Sequence, residues 1–371
     1  MPLCVFEAGN LMKKILKILG AVLLICVFVV VTLIGYLTID EYKPEDIESL
    51  EISGNEGSEI EVGKTTSLMT WNIGYGALGD NADFFMDGGK MVYTADKERV
   101  EENLSAIAGT ISDIKPDILF IQEIDLSASR SYFIDELQII REKAVGPVSE
   151  GQYTFATNFN VAYVPLPVPP IGKVYAGLAC LSDVKLTSAD RYSLPCPFKW
   201  PLRTFNLKRC LQIMRAPVKD SDKELVLINL HLEAYDEGEG KIAQTKMLKE
   251  LMLAEIDKGN YVIVAGDFNQ SFSDLDISMY PVLEGKWKAG TIDVTEFGNN
   301  VSFHVDNSVP TCRSLDRALD KAEERDPEHF QYYVLDGYIV SSNIQVDNVH
   351  TFDLGFKNSD HNPVVMDFSL K

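Results

Sequence analysis

The 371-residue chain is poor in cysteine and in positive charge. Its six cysteines, Cys4, Cys26, Cys180, Cys196, Cys210 and Cys312, are scattered without a CxxC pair, which argues against a structural zinc site. Cys26 lies in an apolar segment and Cys180 in AGLACLS, which reads as a buried strand. Cys196 and Cys210 could pair, although sequence alone does not decide it. Lysine and arginine total 34 against 55 acidic residues, for a formal net charge of −21. A field of that sign repels phosphate backbones and disfavours tight non-specific nucleic-acid binding. It leaves room for phosphate chemistry at a bound cation, because the metal inverts the local charge. Internal repeats, long low-complexity tracts, a nucleophile elbow and an ordered Ser-His-Asp set are all missing.

What is present is a chain 46% hydrophobic and 24% charged, enough for a sizeable core in one large domain or two small ones. Residues 18–39, ILGAVLLICVFVVVTLIGYLTI, carry no charge and are long enough to cross a hydrocarbon core as a helix. Lys13, Lys14 and Lys17 precede them, and Asp40, Glu41, Glu45, Asp46 and Glu48 follow. That asymmetry predicts a single-pass anchor with residues 1–17 in the cytoplasm and the remainder outside the cell membrane. A cleaved signal peptide is the competing reading. The run is longer than an ordinary signal core, no A-x-A site follows it, and Ile25 spoils a lipobox at Cys26. MKKILKILG resembles a start and MPLCVFEAGNL does not, so Met12 is expected as the first residue. Residues 40–64 are acidic and aperiodic, and predict a self-repelling tether.

From residue 65 the pattern becomes that of one folded domain, 65–371. TSLMTWNIG alternates and ends in glycine, as a strand entering a loop does. In DKERVEENLSAIAGTISDIKP the residues Val100, Leu104, Ile107 and Ile111 recur at helical spacing before Pro116. DILFIQEI, VYAGLACLSD, ELVLINLHLEA, YVIVAGDFNQ, VLDGYIVSS and NPVVMDFSL read as strands. SYFIDELQIIREKA and GKIAQTKMLKELMLAEIDKG read as helices. ELVLINLH is apolar on both faces, as a strand in a covered sheet must be. The alternation predicts an α/β fold with helices outside packed sheets.

Polar residues interrupt these apolar runs at their ends: Asn72, Glu123, His231, Asp267, Asn269, Asp336, Asp360 and His361. Taken singly, each has an ordinary explanation as a turn residue, a solvated strand end or a satisfied core histidine. Together they suggest one site at one edge of the sheets, since ionised groups beside apolar runs are costly unless paired or metal-bound. Carboxylates and amides without thiolates favour a hard cation, Mg²⁺ or Mn²⁺. Two histidines with acids at hand suit general acid–base work. Metal-assisted attack of water on a phosphoester is the reaction class these groups suit. His304, His329 and His350 stand outside the pattern. GDNADFFMDGGK has glycines and acids but not EF-hand spacing, and predicts a mobile loop beside the site. NFNVAYVPLPVPPIG predicts a substrate-side loop.

In order, TWNIGYG, FIQEI, GLACLS, NLHLEA, GDFN, LDGYIVS and SDHNPVV resemble the endonuclease/exonuclease/phosphatase superfamily over nearly all of 65–371. The resemblance implies a membrane-anchored, bacterial-type member with a four-layered α/β sandwich, two packed β-sheets flanked by helices, behind one N-terminal transmembrane helix. It implies a magnesium-dependent hydrolase with metal ligands Asn72, Glu123 and Asp360. Asp267 and Asn269 align water and phosphate, His361 is the catalytic histidine oriented by Asp336, and His231 contacts the phosphate. Asp267 or His361 activates water. Arg209 is a looser match to a basic phosphate contact. The expected substrate is a phospholipid headgroup or a small phosphoester. A surface nuclease and a non-catalytic binding module on the same fold are the alternatives. The membrane is the one partner expected besides substrate. Nucleic acid is disfavoured by charge and no protein partner is inferred.

Overall fold

The computed structural model describes residues 2–236 and 238–371, with side chains from Met12 onward. Met1, the alternative start, and the side chain of Cys4 lie outside the described residues. Two seven-stranded sheets pack face to face. The first runs in the order β1 (Ile47–Ser49), β7 (Ser188–Ser193), β8 (Cys210–Pro217), β9 (Glu224–His231), β10 (Tyr261–Asp267), β16 (Asp336–Ser341), β13 (Val301–His304). The second runs β17 (Ile344–Thr351), β18 (Val364–Leu370), β3 (Thr66–Asn72), β4 (Ile118–Asp125), β6 (Gly172–Ser182), β5 (Gln152–Val164), β2 (Ser53–Gly54). Two short pairs, β11 (Gln270–Phe272) with β12 (Gly290–Ile292) and β14 (Cys312–Arg313) with β15 (Tyr332–Tyr333), lie outside them.

Each large sheet has one parallel neighbour pair, β3 with β4 and β9 with β10. A parallel pair needs a long crossover, and the periodic segments provide it: α2 (Lys97–Ile114) and α5 (Glu239–Asp257). Asp96 caps α2 by accepting from Arg99 N at 2.9 Å, which satisfies one of the free N–H groups of the first turn. Val100, Leu104, Ile107 and Ile111 are all within 1% of full burial, against Met69, Trp71, Leu119 and Ile121. Each such side chain contributes roughly 1.5–3 kcal/mol. Lys115 ends the helix in the left-handed region at φ 55°, ahead of Pro116. Helix α3 (Glu136–Lys143) and the short α4 (Pro147–Glu150) join α2 on that outer face through Leu137, Ile140 and Val148. On the opposite face α5 places Leu248 and Met252 against Val262 and Val264. Between the sheets lie Leu68, Phe120, Met214, Leu227 and Ile263. Tyr338 crosses that layer and donates its hydroxyl to the carbonyls of Leu68 and Val364 at 2.8 and 2.7 Å. The order helix, sheet, sheet, helix is the four-layered α/β sandwich expected.

Three expectations need correction. Residues 40–64 are not a free tether. β1 pairs with β7 and β2 with β5, and single bridges tie Ser58 to Val184, Ile60 to Val218 and Val62 to Leu370. Ile60 is 3% exposed. Its burial, the strand hydrogen bonds and the Glu61–Lys219 and Glu56–Lys185 ion pairs outweigh the self-repulsion of the acids. The proline-rich stretch is a loop only in part, because Asn158 to Val164 continue β5 and residues 165–171 form its turn into β6. The second helix is also shorter than its pattern. A 3₁₀ turn at Ser129–Ser131 is followed by Tyr132 and Phe133 at φ 57° and 60°, which the α-helix cannot adopt.

The apolar helix α1 (Pro2–Ile39) starts upstream of the 18–39 window. Within its Met12–Ile39 portion an 18-residue window has mean hydropathy 3.1, and the portion is long and apolar enough to cross a membrane. Its last turn is docked. Leu37 is 2% exposed among Ala128, Phe159, Val161 and Val174, and Trp200 Nε1 donates to Thr38 Oγ1 at 3.0 Å. Cys180, Cys210 and Cys312 are buried free thiols, and Cys26 and Cys196 are exposed free thiols.

Candidate active site

The singled-out polar residues gather where the parallel strands end, the edge at which open α/β sheets place ligands. Asn72 closes β3, Glu123 lies near the end of β4, His231 closes β9 and Asp267 closes β10. Asp267 stands opposite His231 in the parallel ladder and opposite Asp336 in the antiparallel one. Local backbone features aim these side chains. The β4–β6 register shifts between Ile121 and Ile124, and Glu123 sits at φ 51°. Such a bulge re-aims a side chain. Gln122 is thereby kept inside, donating to Thr70 Oγ1 and Asn229 Oδ1 at 3.0 and 2.8 Å, while Glu123 turns to the cavity. A non-glycine residue in this region costs on the order of 1–3 kcal/mol, and such strain concentrates at functional sites. Asn269 has the same conformation, φ 50°. Gly266 cannot be replaced easily. At φ 146° its Cβ would fall 2.0 Å from the carbonyl oxygen of Leu230.

The SDHNPVV segment is locked on four sides. Ser359 Oγ donates to the Asn72 carbonyl at 2.8 Å, and Trp71 Nε1 to the His361 carbonyl at 2.9 Å. Arg313 N donates to the Asp360 carbonyl at 3.0 Å, and Asn362 N to that of Thr311 at 2.8 Å. Thr311 Oγ1 also accepts from the backbone of Leu335 and Asp336. Residues 311–313 therefore place Asp336 and His361 together, and nothing in the sequence pattern signalled them.

His361 Nδ1 lies 2.8 Å from Asp336 Oδ2 and its Nε2 3.7 Å from Asp267 Oδ2. His231 Nε2 lies 3.5 Å from the same Asp267 oxygen and 3.9 Å from Glu123. The two imidazoles are driven apart in pKa. Burial alone would lower His361, but Asp336, Cys312 and Asp267 outweigh it and hold it well above the ordinary histidine value. Burial, helped by Arg209 and His361, holds His231 well below it. At neutral pH His361 is charged and His231 neutral. Burial lifts Asp267 to about 6, opposed by His361 and reinforced by Asp336.

Asp360 is lifted to about 7 by burial, against the pull of His361 and with the push of Glu123. Its Oδ1 is buried without a hydrogen-bond partner. An orphaned carboxylate oxygen beside a second carboxylate fits a hard cation, which would supply the missing partner and relieve the repulsion. Candidate ligand atoms of Cys312, Asp360 and His361, and of Asp267, Asp336 and His361, also lie within 4.8 Å of one another. His361 is committed to Asp336, so those sets read as a proton network rather than a coordination sphere. Asn72, the third expected ligand, is hydrogen-bonded to both neighbouring acids and to Gly74. Its amide NH₂ donates to Glu123 Oε1 and Asp267 Oδ2, both at 3.1 Å, while its oxygen accepts from Gly74 N at 3.0 Å. In this arrangement it spaces the two carboxylates.

Arg209 lines the cavity, but its Nε is paired with Glu233 at 3.2 Å and its Nη1 donates to the His231 carbonyl at 3.1 Å. It braces the β9 terminus. Asn269 donates its amide to the Leu232 carbonyl at 2.9 Å, and its N–H to Asp267 Oδ1 at 2.8 Å. Sequence reasoning missed Arg130 and Tyr75. Arg130 holds Asp125 through Nε and Nη2 at 3.0 and 2.9 Å, lies 3.7 Å over the Tyr75 ring and faces the cavity. It stands just before the segment that reads as a helix, in a 3₁₀ turn that no periodic pattern marks. The GDNADFFMDGGK segment brings Phe84, Phe85, Met86 and Asp87 to the same cavity, and Asp87 accepts from the Tyr235 hydroxyl at 3.0 Å.

A family model described as the Endonuclease/Exonuclease/phosphatase family matches residues 69–332. The match stops short of Asp336, Asp360 and His361. The endonuclease/exonuclease/phosphatase from Beutenbergia cavernae DSM 12333 is similar with a TM-score of 0.56 at 17% identity, covering 83% of this chain and 72% of that one. A functionally unknown conserved protein from Enterococcus faecalis V583 gives 0.50 at 14% identity, covering 82% and 100%. The human Nocturnin catalytic domain with bound sulfate anion gives 0.48 at 19% identity, covering 87% and 97%. For the first two the likeness is one of fold. No curated protein matches the chain.

Proposed function

The chain belongs to the endonuclease/exonuclease/phosphatase family, and from that premise we propose that it is a membrane-tethered, metal-dependent phosphoesterase acting outside the cytoplasm. Members of the family are hydrolases of phosphoester bonds. The observation that carries the reading is the pair of histidines on either side of Asp267, His231 Nε2 at 3.5 Å and His361 Nε2 at 3.7 Å, whose surroundings push their pKa values in opposite directions. Groups pushed apart in pKa around one point are the signature of divided acid and base roles. Asp267 is ionised above about pH 6 and is the group suited to take a proton from water. His361, already protonated, is suited to donate to a phosphate or leaving-group oxygen. That division favours Asp267 over His361 as base. His231, neutral, serves as a hydrogen-bonding contact. Asp336 orients His361 and sustains its charge.

Glu123 and Asp360 would hold the cation, with Mg²⁺ or Mn²⁺ as the hard ions their oxygens suit. When bound, it supplies positive charge that offsets the phosphate and the charge developing on it. The net charge of −21 favours a phospholipid headgroup or small phosphoester over long nucleic acid.

The test is turnover by the full chain, with Mg²⁺ or Mn²⁺, of vesicle phospholipids, sugar phosphates and plasmid DNA, beside a Glu123→Ala control. Release from lipid or small esters that the control abolishes supports the reading. Plasmid cleavage alone at physiological salt favours a nuclease, and no metal-dependent turnover of any of them favours a binding module.

A further inference from the structure

The cavity at the site, about 260 Å³, has two unlike ends. Glu123, His231, Asp267, Asn269, Asp360 and His361 line one. The other is walled by Phe159, Val164, Leu166, Ile171, Phe205 and Leu207. Except for Leu166, these apolar residues belong to the cluster that receives Leu33 and Leu37 of α1. One hydrophobic layer thus has the apolar helix on one side and the cavity on the other. The helix does not leave the domain through a slack linker. Trp200 binds Thr38, and Glu41 is paired with Arg203 and Lys208, both at 3.4 Å.

Around that docking point the surface is apolar. Leu166 is 56%, Val168 88%, Trp200 56% and Leu202 51% exposed. Clustered exposure of this kind marks an interaction surface. Its chemistry suits lipid. Pro165, Pro167, Pro169 and Pro170 carry no N–H, so this turn has few donors to desolvate. Trp200 is the residue type that settles at the headgroup level. Residues 158–173 and 194–209 contain no acid, in a chain with 55, and include the exposed Lys173 and Lys199. Basic side chains flanking an apolar tip match an anionic bilayer surface.

We propose that the substrate is a long-chain lipid phosphoester drawn directly from the bilayer that holds α1, with the 165–170 and 198–202 loops seated in the membrane interface and the apolar wall receiving part of an acyl chain. This rests on the phosphoesterase reading and narrows its substrate class. The fixed helix end sets the cavity mouth at the lipid surface, and the wall lets the chain stay in apolar surroundings while the phosphate reaches Asp267.

The experiment uses the full chain reconstituted into vesicles of phosphatidylcholine and phosphatidylglycerol. Brominated lipid should quench the emission that Trp200→Phe removes, whatever the catalytic state. With Mg²⁺, the wild type should hydrolyse the vesicle lipid faster than water-soluble dihexanoyl versions of the same headgroups. Val168→Asp combined with Leu202→Asp, both at exposed positions outside the cavity lining, should cut lipid turnover by roughly tenfold, equivalent to about two methylenes of lost apolar burial, and leave the soluble esters unchanged. An unquenched Trp200, or equal loss on both substrate forms, overturns the proposal. Quenching with equal wild-type turnover of long and short esters overturns the acyl-chain assignment. Quenching with no turnover of either ester overturns the phosphoesterase reading and the substrate assignment with it, while the docking of the loops stands.

Discussion

His361 Nδ1 lies 2.8 Å from Asp336 Oδ2, and both are buried. The contact joins the start of β16 to the turn before β18, in different sheets, and it keeps His361 charged where His231 is neutral.

Asp336→Asn should therefore lower kcat by roughly 10²- to 10⁴-fold with little change in KM, the scale of a lost acid–base group. The sign in pH follows from the charge. Asp336 raises His361, so its removal lets His361 deprotonate at lower pH. The alkaline limb of the kcat/KM profile should move toward acid. A profile that falls uniformly without that shift would assign Asp336 a merely structural part.

Glu123 and Asp360 repel each other in the absence of a cation. Adding Mg²⁺ or Mn²⁺ should raise the melting temperature of the wild type, because a ligand bound only by the folded state stabilises it. Glu123→Ala should abolish both that rise and turnover. Chelator-treated Glu123→Ala should melt no lower than chelator-treated wild type, since one of two neighbouring acids is gone. Differential scanning fluorimetry checks each point.

Arg215 binds Glu255 through Nη1 and Nη2 at 3.1 and 2.7 Å. Burial pushes Glu255 up, but its bonds to Arg215, Lys258 and Asn260 prevail and bring it to about 2. A depressed carboxyl stabilises the fold fully above its unfolded value, 4.5, and loses that contribution as pH falls toward about 2. Glu255→Gln should be less stable than wild type by about 1 kcal/mol at neutral pH, a partly solvated pair contributing modestly. Urea denaturation should show the gap closing between the two values.

Ile60 is buried between the sheets with Val218 and Leu370. Ile60→Ala should cost about 2–4 kcal/mol, and replacing residues 47–62 by a Gly/Ser sequence should lower the melting temperature. A tether would tolerate both.

β18 lies between β17 and β3, so truncation before Ser359 should leave no cooperatively folding protein. Ser359→Ala, which removes the bond to the Asn72 carbonyl and the one accepted from His361 N, should cost about 2 kcal/mol and remain folded.

Much of the site was legible in sequence because its residues interrupt apolar strands. Asn72, Glu123, His231, Asp267, Asp336 and His361 each break a run whose burial is visible in composition, and strand ends on one edge converge without knowledge of pairing. Arg130 was not legible, because the left-handed residues that end the 3₁₀ turn carry no periodic signal. Residues 311–313 were not either, since they act through backbone groups. The acidic stretch 40–64 misled because charge is local to the sequence, whereas its strand partners lie about a hundred residues away or more.

The residues themselves determined the strands, the crossover helices, the apolar α1 segment and which side chains carry the chemistry. These follow from periodicity and from the cost of polar groups beside apolar ones. Only the tertiary structure decided that His361 is charged and His231 is not, that Asn72 turns its NH₂ to the acids, and that α1 shares a hydrophobic layer with the cavity. Protonation, amide orientation and docking depend on distances between remote segments, and those distances exist only once both sheets have closed on each other.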